Sequence, residues 1–277
     1  MQNAGIASLK LNWRYLAFDV DPQNLREAIA GAKRMGFIGV NLTVPHKLLA
    51  MDMVDALDDS AKSWGAVNTI RFEGRDARGN WKPLGQFKEN TPSKIRSNGF
   101  NTDADAIVRA IREDLGIKLR GAKVLLLGAG GAGRVAALKL AAENVAQLFL
   151  VNRTTSKAEV VAAEISTSHP KVRVKAAYPA ASVDLVLNAT SLGLKKTDAM
   201  PFDEKSFSLK QTRAVYDMIY RPAETPLLKA AKAAGCRVSN GSSMLLYQGA
   251  KALEIWTRKR APLDVMRRAL EKNIYGH

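Results

Sequence analysis

"KVLLLGAGGAGRVAALKLAAENVAQLFLVN", residues 123–152, is the stretch on which the fold turns. Val124 to Leu127 is an unbroken apolar run of strand length, a glycine-rich turn follows, an alanine-rich helical segment comes next, and "QLFLVN" (147–152) reads as a second strand. That is a βαβ unit. Gly128, Gly130 and Gly133 stand as G-x-G-x-x-G, with Ala129, Gly131 and Ala132 between them. The first glycine permits the tight turn, the second lets backbone approach a pyrophosphate, and the third packs helix on strand. Backbone donors at the helix N-terminus then face the phosphates. A dinucleotide site is expected here.

The end of the second strand says which dinucleotide. An NAD site places an acid about 20 residues past the glycines to hold the ribose hydroxyls, whereas a 2′-phosphate needs cations and no carboxylate. This chain has Asn152, Arg153, Thr154, Thr155, Ser156 and Lys157 there. Two cations and several hydroxyls replace the acid, and an arginine can also stack on adenine. NADP is the cofactor expected.

Strand signals continue through "VDLVLNATSLG" (183–193), "RAVYDMIY" (213–220) and "CRVSNG" (236–241), completing a doubly wound sheet of about six strands. Its ligand crevice lies at the carboxyl ends, where Thr190, Met218 and Gly241 fall. Two helices, "SSMLLYQGAKALEIWT" and "PLDVMRRALEKN", have no strands left to alternate with and are expected to pack back on the first domain.

The first hundred residues are organised differently. "NWRYLAFDV" (12–20) alternates like a strand, and Asp21 with Pro22 opens a helix expected to run to about Met35. "FIGVNL" is the next strand. "NLTVPHK" (41–47) follows, with Pro45 expected to stop the strand ladder and a helix with apolar positions Leu48, Leu49, Met53 and Leu57 expected after Lys47. "GAVNTIRF" (65–72) is a strand carrying a polar Asn68, and a basic loop then leads to "NGFNTDADAIVRAIRE". There Asn98-Gly99 reads as a turn, Asp103 opens a helix, and Ile107, Ile111 and Leu115 give it a face.

Bulk properties narrow the function classes. With 277 residues, 47% of them hydrophobic, the chain is long enough for two domains, and it is neither disordered nor fibrous. No apolar run approaches the roughly 20 residues that span a bilayer, and "MQNAGIASLK" lacks the order of a secretory signal, so a cytoplasmic location is expected. One cysteine, Cys236, and three scattered histidines, at 46, 169 and 277, predict no disulfide and no metal site. The net charge of +16 suits either nucleic acid or small anions. Residues 71–96 hold seven Lys/Arg against three acids, and Arg258, Lys259, Arg260, Arg267 and Arg268 form a second cluster. Neither has a helix-turn-helix pattern, zinc spacing or interleaved aromatics. Solvated surface with anion steering is the expectation, and nucleic acid is not.

"NLTVPHK", "GAVNT", "NTD", "GAGGAGR", "NRTTSK", "NATSLG", "YDMIY" with "TPLL" (225–228), and "GSSMLLYQGA" occur in the order and approximate spacing of shikimate dehydrogenases, which this chain resembles over nearly its whole length. The resemblance implies NADPH-dependent reduction of 3-dehydroshikimate to shikimate, in aromatic amino-acid biosynthesis. It assigns the catalytic pair to Lys47 and Asp103 and substrate contacts to Thr43, Asn68, Tyr220 and Gln248. It implies an α/β fold: a substrate domain over 1–103, a Rossmann-type NADP domain over 104–242, and C-terminal helices, 243–277, returning to the first domain. A monomer or homodimer is expected.

The chemistry asks for the same residue types. Hydride reduction of a ring ketone leaves an alkoxide, so a proton donor must lie within hydrogen-bond reach of that oxygen. A lysine ammonium supplies it. A neighbouring carboxylate orients the amine, and amides such as Asn68 and Gln248 bind ring hydroxyls without charge. Three departures from the family pattern stand out: the serine-containing G-x-P-x-x-H-S-x-S-P segment that holds the substrate carboxylate is absent, the stretch 71–98 is long, and Ala106 replaces a glycine. Met1 is accordingly read as an internal methionine of a longer natural chain, with near-normal NADPH binding but weak ketone reduction expected of residues 1–277. A quinate/shikimate enzyme is one alternative, opposed by Arg153. The other is a non-catalytic NADP-binding regulator, opposed by the retention of Lys47 and Asp103.

Overall fold

The computed structural model describes residues 1–87, 92, 94–195 and 197–276. His277 and residues 88–91 and 93 of the basic stretch therefore lie outside it. The chain forms two compact units, one of residues 1–103 with the C-terminal stretch from Leu246, the other of Ala104–Leu245.

The first unit opens with α1 (Gln2–Ser8) and α2 (Leu25–Arg34). After these come β1 (Gly39–Asn41), α3 (His46–Leu49), β2 (Ala56–Leu57), α4 (Asp59–Trp64), β3 (Thr69–Arg75), β4 (Trp81–Pro83) and β5 (Ile95–Phe100). The sheet runs β1-β3-β5-β2, with β4 also on β3, and only the β2–β5 pair is parallel. Leu25, Ile29 and Ala32 of α2 pack on Ile70 and Phe72 of β3 to make its core.

Four sequence expectations fail here, each for a local reason. Residues 12–20 are not a strand. The backbone donor and acceptor of Tyr15 are both taken by the Asn3 side chain, at 2.7 and 3.0 Å, and Leu16 and Phe18 are exposed. The helix after Lys47 lasts one turn, continues as a 3-10 turn over Ala50–Asp52, and ends because Ser97 hydrogen-bonds Asp55 and draws Leu57 into β2. Pro45 does not end the strand, which stops at Asn41; it stands at the start of α3. Asn98-Gly99 is no turn but the middle of β5, where a Cβ on Gly99 would lie 2.8 Å from Val67. Glycine there serves close packing.

The second unit alternates as expected, through α5 (Asp103–Leu115), β6 (Lys123–Leu127), α6 (Gly131–Ala142), β7 (Gln147–Val151), α7 (Thr155–Ser168), β8 (Arg173–Lys175), β9 (Val183–Asn188), β10 (Thr212–Asp217), α8 (Pro226–Ala233) and β11 (Arg237–Asn240). All pairings are parallel, in the order β11-β10-β9-β6-β7-β8. This is the doubly wound arrangement, with its switch point between β6 and β9. The strands end at Asn188, Asp217 and Asn240, earlier than the sequence runs suggest, and β8 is an addition to them.

The chain closes with α9 (Ser242–Thr257) and α10 (Leu263–Tyr275), and from Leu246 it is part of the first unit, as expected. Trp256 donates to Ile70 O at 2.9 Å, Arg71 to Ile255 O at 3.3 Å, and Gln2 to Gly249 O at 2.8 Å.

Candidate active site

Lys47 lies on the single turn of α3 and Asp103 begins α5, and Lys47 Nζ donates to Asp103 Oδ2 at 2.6 Å. The two side chains are 26% and 13% exposed, so the pair is screened from bulk water yet open to a ligand. Each member is anchored by its backbone. Val67 N donates to Lys47 O at 2.9 Å, and the neighbouring His46 ring nitrogen donates to Val20 O at 2.9 Å. Asp103 N donates to Asn101 Oδ1 at 3.1 Å, while Asn101 Nδ2 holds Ala66 O at 3.0 Å. A carboxylate in the first turn of a helix also meets the positive end of its dipole.

Asn68 is buried and bonds Thr102, the residue before Asp103. Its Oδ1 accepts from Thr102 N at 2.9 Å and from Thr69 Oγ1 at 3.1 Å, and its Nδ2 donates to Thr102 Oγ1 at 2.9 Å. One amide hydrogen is left over from these bonds. Asn68 thus fixes the residue beside Asp103. Asn41 extends the network, donating to Asn68 O and Thr69 Oγ1 while accepting from Tyr15 Oη. Thr43 is exposed in the loop before α3, and Gln248 is half-buried on α9. Tyr220 belongs to the second unit, just past β10, and is 38% exposed.

The geometry of the glycine loop could hold a phosphate. Gly128 has φ +101°, and a Cβ on Gly133 would lie 2.0 Å from Gly128 O, so this helix seats directly on the loop. In front of Gly130 there is open space. Gly130 caps α6 without a side-chain bond, and the exposed first turn, Gly131 and Ala132, leaves its amides for an anion. Ala129 N is not among them, because it donates to Asn152 Oδ1 at 2.9 Å. Asn152 therefore shapes the loop. Beyond it Arg153, Thr154 and Lys157 are all exposed, Thr154 starts α7 without a side-chain cap bond, and the first turn of α7 carries no acid. The cradle fits a 2′-phosphorylated dinucleotide. At the other carboxyl ends, Thr190 N and Oγ1 donate to Asn188 Oδ1 at 3.0 and 2.8 Å, and a Cβ on Gly241 would lie 2.0 Å from Met218 O.

Three family models match: the shikimate dehydrogenase substrate binding domain over residues 1–70, shikimate / quinate 5-dehydrogenase over 110–198, and the shikimate 5'-dehydrogenase C-terminal domain over 241–271. A shikimate dehydrogenase (NADP(+)) of Methanopyrus kandleri is 37% identical, with 99% of this chain and 90% of the relative covered. The chain belongs to the shikimate dehydrogenase family. Among solved structures, a shikimate dehydrogenase in complex with NADP+ is similar with a TM-score of 0.80 and 33% identity, covering 98% of this chain and 89% of that one. The shikimate 5-dehydrogenase of Thermus thermophilus, in complex with NADP(H) and shikimate, gives 0.79 and 32%, covering 98% and 92%.

Lys47 and Asp103, named together from their motifs, are bonded to each other, and the groups that hold them were not among the expected site residues. Asn41, Asn101 and Thr102 pin the loops around Lys47 and Asp103, and Asn188 pins Thr190. For Asn41 and Asn188 a signal was available, since each is a polar residue closing an apolar run.

Proposed function

We propose that Lys47 and Asp103 are the catalytic pair of an NADPH-dependent reduction of 3-dehydroshikimate to shikimate. The chain is an NADP-dependent oxidoreductase of the shikimate dehydrogenase family, acting in the shikimate pathway of aromatic amino-acid biosynthesis. The observation that carries the assignment is the 2.6 Å bond from Lys47 Nζ to Asp103 Oδ2 in a half-screened position. When bound, NADPH supplies the hydride. Lys47 Nζ supplies the proton to the developing alkoxide, and Asp103 aims the ammonium at that oxygen. In the reverse direction the amine takes the proton back. The remaining amide hydrogen of Asn68, the Thr43 hydroxyl and the Gln248 amide hold the ring hydroxyls.

On the cofactor side we assign the pyrophosphate to Gly128–Gly133 and the 2′-phosphate to Arg153, Thr154 and Lys157, with Asn152 holding the loop. Thr190, Met218 and Gly241 take the nicotinamide half. The absence of an acid in the first turn of α7 favours this reading over an NAD-linked quinate enzyme. No helix among the described residues is long and apolar enough to cross a membrane, and we take the protein to work in the cytoplasm as a monomer or homodimer.

The test follows absorbance at 340 nm with shikimate and NADP+. Lys47→Ala and Asp103→Ala should each lower kcat about 10²- to 10⁴-fold with the NADPH Kd unchanged. Because the two act as one unit, the double variant should be little worse than either. Additive losses, or turnover untouched in Lys47→Ala, would overturn the assignment.

A further inference from the structure

Asp217 is the last residue of β10, and its side chain is completely buried. Its hydrogen-bond partners are neutral donors: Asn188 Nδ2 at 3.0 Å, Thr225 Oγ1 at 2.6 Å and Ile219 N at 3.0 Å. Burial raises its pKa above the ordinary aspartate value, against the pull of those bonds. A carboxylate in such a place costs stability. What it organises is therefore informative.

The strand register sets Asp217 beside Asn188 of β9 and Asn240 of β11, so three polar side chains stand abreast at the carboxyl ends of these strands. In a doubly wound sheet those ends form the mononucleotide half opposite the glycine loop. Asn188 passes the restraint onward. Its Oδ1 receives Thr190 N and Oγ1, and its Nδ2 also reaches Leu192 O at 3.3 Å, which shapes the loop after β9. Ile219 N, the third partner, lies between Met218 and Tyr220. Thr225 in turn accepts from Leu228 N and caps α8.

We propose that Asp217 is a positioning residue for the nicotinamide half of the NADP site, holding Thr190 through Asn188 and holding Met218 and Tyr220 through the Ile219 amide. This rests on the reading that the second unit binds NADP. A purely structural role would lower the melting temperature without distinguishing one half of the cofactor from the other.

The experiment titrates the full chain and its variants with NADPH and with adenosine 2′,5′-bisphosphate, which carries only the adenine half. Asp217→Ala should weaken NADPH about ten- to a hundredfold, while the bisphosphate stays within about twofold. Asp217→Asn keeps an oxygen for Ile219 N and Asn188 Nδ2, and should recover most of the affinity. Asn188→Ala should copy Asp217→Ala, with the double variant little worse than either; it also carries the test if Asp217→Ala does not fold. The proposal is overturned if Asp217→Ala binds both ligands like the unaltered chain, loses both equally, or gains nothing when asparagine replaces alanine. Failure of the unaltered chain to bind either ligand would sink the NADP reading itself, and this proposal with it.

Discussion

Replacing Glu73 by leucine should destabilise the first unit by roughly 3–5 kcal/mol, the usual consequence of stranding one member of a buried ion pair. Glu73 is 1% exposed and Arg71 8%. Glu73 Oε1 accepts from Arg71 Nε at 2.9 Å and from Arg71 Nη2, and its Oε2 accepts from Arg96 Nε at 2.7 Å. Without the carboxylate, Arg71 keeps, among the described residues, Ile255 O and the ring of Phe100, whose centroid is 5.0 Å away, and neither neutralises a guanidinium. Arg96 is 30% exposed and turns to water, so its share is at most about 1 kcal/mol. Arg71→Met combined with Glu73→Leu removes both charges and should recover most of the loss. Urea unfolding followed by tryptophan fluorescence reads this directly, because Trp13, Trp64, Trp81 and Trp256 all lie in the first unit. Burial alone would raise the Glu73 pKa, but the bonds from Arg71 and Arg96 outweigh it and hold it below the ordinary value. Its contribution is thus complete at neutral pH and is lost as pH falls through the lowered folded value, so Glu73→Leu should flatten the acid limb. A single-variant loss under about 1 kcal/mol, or a double variant no more stable than the single, would refute the reasoning. The Lys47–Asp103 pair proposed as catalytic has a stake in the outcome, since the register that pairs Glu73 with Arg96 also pairs Thr69, next to Asn68, with Phe100, three residues before Asp103.

Two glycines separate the loop's packing from its ligand. Gly133→Ala forces a Cβ to 2.0 Å from Gly128 O and should lower the melting temperature along with NADPH affinity, costing about 1–3 kcal/mol. Gly130→Ala meets no protein atom and should leave melting unchanged while NADPH binding falls at least about tenfold; unchanged affinity would mean the pyrophosphate goes elsewhere. Arg153→Ala should weaken NADPH by about one to two decades and spare NADH in parallel titrations, and equal losses would remove Arg153 from the 2′-phosphate site.

The second unit was legible because parallel strands buried on both faces are near-continuous apolar runs. β8, "RVK" at the sheet edge, shows the converse: two of its three residues are exposed cations, so it carries no such signal. In the first unit the pattern misled wherever a side chain outbid the backbone. Asn3 claims the ladder groups of Tyr15, and Ser97 with Asp55 bends the chain after one helical turn. Neither contact has a period, and the second joins residues 42 apart.

Lys47 and Asp103, 56 positions apart, were found only through motifs, yet what holds the two site loops follows one rule that the sequence does display. Asn68, just before β3, accepts from Thr102 N; Asn101, just after β5, from Asp103 N; Asn152, just after β7, from Ala129 N. Asn188 and Asn240, the last residues of β9 and β11, accept from Thr190 N and Ser242 N. An asparagine presents both an acceptor and donors and carries no charge, so it satisfies the loop backbone without adding a charge to the loop. Aspartate in place of Asn152 would supply the same acceptor to Ala129 N but would set a negative charge beside the proposed phosphate cradle. Asn68 and Asn152, read from sequence as ligand contacts, commit most of their side-chain bonds to the loops. Asp217, the last residue of β10 between Asn188 and Asn240, differs from both: it is a buried carboxylate, and three neutral donors take up its oxygens.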